Sequence, residues 1–229
     1  MYSFEKLKVG ISAVTLCIIC GPVLAGPPQD AVDAEQAKAY VAEADARRVL
    51  PSAESQSAAT AATGQSRDLP ESVAPTLRMA LTRTPSGLHA NGPTFKLGVP
   101  ASQNGFVQLG RANASDNSVF SVSLPVGSGA RALAAIAPQL TGDGSAVYSK
   151  IQAGTDVVVE AFADSVRIAT VLGGYEAPVE FHYKVNVPAG GKIEMLEDGG
   201  ILVLDEQQGA VGGFAAPWAL DSDGKPVPS

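Results

Sequence analysis

Apolar and polar residues alternate singly through short runs in the second half of this chain. A side-chain period of two fits one regular structure, the half-buried β-strand. In PVEFHYKVNV, residues Val179, Phe181, Tyr183, Val185 and Val187 fall on one face, and Glu180, His182, Lys184 and Asn186 on the other. SVFSVSL repeats the pattern with Phe120, Val122 and Leu124 against Ser121 and Ser123. FKLGV, GFVQL, SAVYSKI, TDVVVEAFA, SVRIATVL, KIEML, GILVLD and GAVGGF are further strand segments. Glu197-Asp198-Gly199-Gly200 and Glu206-Gln207-Gln208-Gly209 sit between apolar runs and carry hairpin-turn chemistry. Short strands at this spacing predict a mainly β fold, an antiparallel β-sandwich or open barrel. One short helix is expected at GARALAAIAPQL, where Leu133, Ile136, Ala137 and Leu140 recur at helical spacing.

The chain begins differently. Lys6 and Lys8 precede an apolar run from Val9 to Cys20, followed by Gly21-Pro22 and then Val23-Leu24-Ala25. A charged start, an apolar centre and small residues before a cut describe a secretory signal peptide, with cleavage expected after Ala25. The run is shorter than a bilayer-spanning helix requires and is broken by Gly-Pro, which disfavours a retained anchor. Cleavage leaves 204 of the 229 residues and removes Lys6, Lys8 and Glu5, taking the formal charge from −7 to −8. It also removes Cys17 and Cys20, both of the chain's cysteines. The exported chain is then cysteine-free, without disulfides, thiolate metal sites or a cysteine nucleophile, and must hold together by packing alone.

Four segments follow from composition: 1–25 as signal peptide, 26–75 as an Ala-rich helix and flexible linker, 76–93 as a connecting segment, and 94–229 as the β-rich domain. PPQDAVDAEQAKAYVAEADARRVL has helix formers behind an Asp30 cap, yet its apolar face is thin. PSAESQSAATAATGQSRDLPES is low in complexity and polar, with too little apolar surface to offset chain ordering. Of the 11 aromatics beyond residue 25, 10 lie between Phe95 and Trp218, which locates the core. The acidic balance excludes a concentrated basic footprint for nucleic acid or an anionic membrane surface.

No constellation in the sequence assigns a catalytic, cofactor-binding or metal-ligating residue. Gly127-Ser128-Gly129-Ala130-Arg131-Ala132 has the spacing of a dinucleotide loop, but the repeated βαβ pattern that would support it is missing. His89 and His182 are the two histidines, in no metal spacing, and His182 falls in the polar phase of its strand. There is no GxSxG elbow. Glu160 with Asp164, or Glu194 with Asp198, are carboxylate pairs of the type that glycoside hydrolysis uses, at a separation the sequence does not set. Asp221-Ser222-Asp223-Gly224 resembles half of a calcium loop without its later ligands, and Asn113-Ala114-Ser115 fits a glycosylation acceptor.

From Val166 onward the chain resembles a family of exported actinobacterial proteins with a C-terminal VGGxAxPWAxDxxGKxVP signature. The residues that carry the resemblance are Ile168-Ala169-Thr170-Val171, Ala177-Pro178, Phe181, Tyr183, Pro188, Gly190-Gly191, Val211-Gly212-Gly213, Pro217-Trp218-Ala219, Asp221, Gly224 and Val227-Pro228. They span roughly 65 of the 229 residues. The resemblance implies a secreted β-rich protein and carries over no activity, cofactor or catalytic residue. Members of that family continue past the Val-Pro with a further strand pair, whereas this sequence ends at Ser229. Trp218 reads as an anchor holding the last crossing on the core.

These observations favour a secreted, non-catalytic β-rich module whose partner is a protein or a cell-envelope component, with no nucleic acid and no membrane insertion once the signal is removed. The alternatives are a secreted hydrolase of polysaccharide or peptide using a carboxylate pair, and a truncated remnant of a longer exported protein.

Overall fold

The computed structural model describes residues 2–3, 13–19, 78–92, 95–111, 120–127, 135–162, 165–173, 176–178, 180–197, 199–220 and 226–227. Among them every regular element is a strand, and all strand pairs are antiparallel. One sheet has seven strands, numbered here in chain order along the sequence. It runs β4 (Thr82–Thr84), β5 (Gly87–Asn91), β6 (Phe95–Pro100), β7 (Phe106–Arg111), β8 (Phe120–Ser123), β15 (Lys184–Asn186) and β1 (Tyr2–Ser3). The second has eleven. Its main path is β10 (Gln139–Leu140), β11 (Ala146–Gln152), β12 (Thr155–Phe162), β13 (Ser165–Leu172), β2 (Ala13–Ile19), β18 (Ala210–Phe214), β17 (Ile201–Leu204) and β16 (Lys192–Met195). Three short strands attach to it: β3 (Arg78–Met79) on β12, β19 (Trp218–Leu220) on β2, and β20 (Pro226–Val227) on β19. A separate pair joins β9 (Val126–Gly127) to β14 (Phe181–His182).

The core lies between the two sheets, where period-two alternation delivers one face of each strand. Leu88, Phe95, Leu97, Val107, Leu109, Phe120 and Val122 come from the seven-stranded sheet, and Val157, Val159, Ile168, Leu202 and Phe214 from the other. Burying each such side chain contributes about 1.5–3 kcal/mol of transfer free energy, which is how the two sheets are held together. Tyr148 adds a polar tie, donating its hydroxyl hydrogen from β11 to the carbonyl of Pro100 at the end of β6. Burial pushes that phenol well above its ordinary range.

This is the mainly β, sandwich-like architecture that alternation implies, and the sheets do not close into a barrel. Strand formation extends back to Arg78, ahead of residue 94, because Leu81, Leu88 and Ala90 also enter the core. Two expectations need correction. The helix over GARALAAIAPQL does not form where the chain is described: Ala135–Pro138 lie outside any helix or strand, and Gln139–Leu140 pairs with β11. Pro138 offers no N–H and pushes the preceding residue away from helical angles. Gln103 competes locally as well, since its side-chain oxygen accepts the Ile136 N–H and its N–H donates to the Ile136 carbonyl at 3.0 Å. PVEFHYKVNV keeps its alternating burial but breaks at Tyr183, so that Phe181–His182 pairs with β9 and Lys184–Asn186 with β8. The Ala-rich segment 26–75 lies outside the described residues.

Both hairpin turns read from the sequence are present and share one hydrogen-bond pattern. Leu196 N–H donates to Gly200 at 2.8 Å and Gly199 N–H to Leu196 at 3.1 Å; Asp205 N–H donates to Gly209 at 2.8 Å and Gln208 N–H to Asp205 at 3.1 Å. The same left-handed position is filled by Gly199 (φ 85°) in the first and by Gln208 (φ 67°) in the second. The Asp205 carboxylate compensates in the second by accepting the Gly209 N–H at 2.8 Å.

Candidate functional site

A charged residue interrupts each of two apolar strands, Glu160 in TDVVVEAF and Arg167 in SVRIATVL. Antiparallel pairing sets the two directly opposite each other across β12 and β13. They lie on the face of the large sheet turned away from the main core, with Val158 and Ala169. Arg167 Nε donates to Glu160 Oε2 at 2.6 Å, and Arg167 Nη2 is also 2.6 Å from that oxygen. Arg78 Nη2 lies 2.9 Å from the other oxygen, Oε1, while Arg78 Nη1 donates to Asp143 Oδ2 at 2.6 Å. Phe162 stands two residues after Glu160 on the same strand face, and its ring centroid is 5.4 Å from the Arg167 guanidinium carbon and 6.0 Å from that of Arg78.

The Glu160 side chain is 0% exposed, that of Arg167 3% and that of Arg78 12%. Desolvated charges at these positions persist only when paired and hydrogen-bonded, and here each carboxylate oxygen of Glu160 meets a guanidinium. The group is a clamp rather than an acid–base centre: a carboxylate with both oxygens committed to fixed cations is badly placed to accept a substrate proton. It joins elements far apart in sequence. Arg78 enters through β3, whose Met79 and Arg78 pair with Ala161 and Phe162, and Asp143 comes from the turn before β11.

The second buried carboxylate is Asp156. Between Tyr148↔Val157 and Gln152↔Thr155 the β11–β12 register shifts, setting three residues of β11 against Asp156 alone. Lys150 sits in that bulge with φ 54°, and its N–H donates to Asp156 Oδ1 at 2.6 Å. Burial raises the Asp156 carboxyl above its ordinary value, opposed by the Lys150 N–H and by the Lys150 charge. A carboxyl raised by folding favours the folded state in its protonated form, so its contribution is present at low pH and is lost as pH rises through the raised value. Asp156→Asn keeps the acceptor and removes the charge. It is expected to be more stable than the parent at neutral pH, with the difference closing on acidification; urea unfolding across a pH series checks this, and a difference that does not close contradicts it.

His182 is half-buried, with Nε2 3.6 Å from Glu180 Oε1. Beside it, Tyr183 is buried with its hydroxyl 3.3 Å from Thr170 Oγ1, and burial pushes that phenol up to about 12. His89 forms a contact the sequence did not flag, with Nε2 3.0 Å from Ser86 Oγ. The Ser-x-x-His spacing was visible in the sequence, but the pair bridges one tight hairpin turn, and among the described residues no carboxylate orients the ring. Of the carboxylate pairs, Glu160 is held in the clamp and Glu194 is exposed on the edge strand β16, while Asp164 and Asp198 lie outside the described residues. Residues 128–132 of the glycine-rich loop, Asn113-Ala114-Ser115 and Asp221–Gly224 lie outside them too. Trp218 is 6% exposed on β19, in register with Thr15 of β2.

Among the described residues no group of three or more His, Cys, Asp and Glu side chains is placed to hold a metal ion. No helix among them is long and apolar enough to cross a membrane. Known protein families, curated proteins and solved structures give no match to this chain.

Proposed function

We propose that this chain is an exported β-sandwich module that acts by binding a protein or a cell-envelope component and carries out no chemistry of its own. The observation that carries the reading is how the buried carboxylates are used. Glu160 is spent on two arginines and Asp156 on a bulge in β11, so both serve the scaffold. The arrangement of Lys6, Lys8, the apolar run and Val23-Leu24-Ala25 supports export, and the C-terminal PWA signature supports kinship with exported actinobacterial proteins. Cosedimentation of the purified exported chain with isolated cell envelopes is the direct test. Saturable recovery in the pellet is expected at low and moderate salt, and recovery of none of the chain under any salt condition would overturn the reading.

A further inference from the structure

The residues at the apolar centre of the leader, Ala13–Ile19, form β2 in the interior of the large sheet. All seven pair with β13, from Val171↔Ala13 to Ser165↔Ile19. On the other side β2 is gripped by two strands in succession: β18 through Gly213↔Ile19 and Phe214↔Ile18, and β19 through Trp218↔Thr15, Ala219↔Val14 and Leu220↔Ala13. Neighbouring strands lie about 4.8 Å apart, so a chain lacking β2 has a gap of about 10 Å between β13 and β18–β19. The β13 border of that gap is buried from Ser165 through Thr170. The N–H and C=O groups that pair with β2 would lose those bonds, and a long apolar strand edge of this kind is a template for another strand.

We propose that in the exported chain this gap is a strand-binding slot, filled by an extended, apolar, proline-free segment of about seven residues supplied by a partner polypeptide and running antiparallel to β13. The proposal rests on the reading that residues 1–25 are removed, and it deepens the proposed binding function by naming how the partner is held. The chain's own AVTLCII shows the composition that fits. Backbone hydrogen bonds to both borders supply affinity, and the apolar surroundings, with Val166, Ile168 and Phe214 buried on the flanking strands, select against polar sequences.

Trp218, the single tryptophan, pairs in register with Thr15 and so reports on the slot. Intact mass of the exported protein establishes first whether the leader is removed; a retained leader would defeat the export reading and, with it, this proposal. A synthetic peptide of residues 11–20, with Cys17 and Cys20 replaced by serine, is then titrated into three proteins: the exported chain, the full-length chain, and full-length Leu16→Pro, in which proline removes a ladder donor from β2. The expected result is a saturable Trp218 emission change and one-to-one binding in the exported chain and in Leu16→Pro. No response is expected from the full-length chain or from a peptide with alternate residues changed to Asp. Should Leu16→Pro fail to fold, the exported chain alone decides. Absence of saturable binding to the exported chain, equal binding to the full-length chain, or a peptide-free dimer of the exported chain would each overturn the slot while leaving envelope binding as a separate result.

Discussion

Replacing Glu160 by Gln is expected to cost about 3–5 kcal/mol of unfolding free energy, because it leaves Arg167 and most of Arg78 charged, desolvated and without their shared carboxylate. Asp143 still holds one side of Arg78. Urea unfolding gives the number, and a loss below about 1 kcal/mol would show that the pair is solvated in solution and that the clamp is not a buried one. The companion variant replaces Arg78, Glu160 and Arg167 with methionines and Asp143, the other partner of Arg78, with asparagine. Removing all four charges together avoids an orphaned ion, so this variant is expected to unfold close to the parent or above it. That contrast separates a clamp kept for register, fixing β3 on β12 and β12 on β13, from one kept for stability.

The second large effect is expected in the main core. Phe120 on β8 and Phe214 on β18 meet edge to face between the sheets, with centroids 5.9 Å apart and planes at 73°. Phe120 is 1% exposed and Phe214 2%, so neither site can refill from solvent-side chains. Phe120→Ala is expected to destabilise by about 3–5 kcal/mol through lost transfer energy and the cavity left behind. With Phe214→Ala it completes a double-mutant cycle whose coupling should be about 0.5–1.5 kcal/mol, the share belonging to the ring–ring contact itself. Additive single losses would mean that the rings pack independently and that this contact does not join the sheets.

Strand positions and inward faces were legible in the sequence because alternation is local: in β6, Phe95, Leu97 and Val99 are buried, Lys96 is exposed, and Gly98 and Pro100 are half-buried. The two four-residue turns were legible for the same reason, since turn chemistry acts over a few bonds. The helix misreading shows the limit of local pattern. Leu133, Ile136, Ala137 and Leu140 have helical spacing, but Gln103, over thirty residues away, takes both backbone groups of Ile136. Of the buried clamp the sequence showed only two interruptions, Glu160 and Arg167, with nothing to join them to Arg78 or Asp143.

The amino-acid sequence by itself determined a β-rich core, the side each strand turns inward, and its hairpin turns. Tertiary structure alone decided which strands are neighbours, that Arg78 bridges Asp143 and Glu160, and that Ala13–Ile19 is bordered by β13 on one side and β18–β19 on the other. The division has a physical cause. Side-chain period and turn preference are set by neighbouring residues, whereas pairing across a sheet and the matching of buried charges depend on chain segments brought together only when the hydrophobic faces of both sheets close on each other.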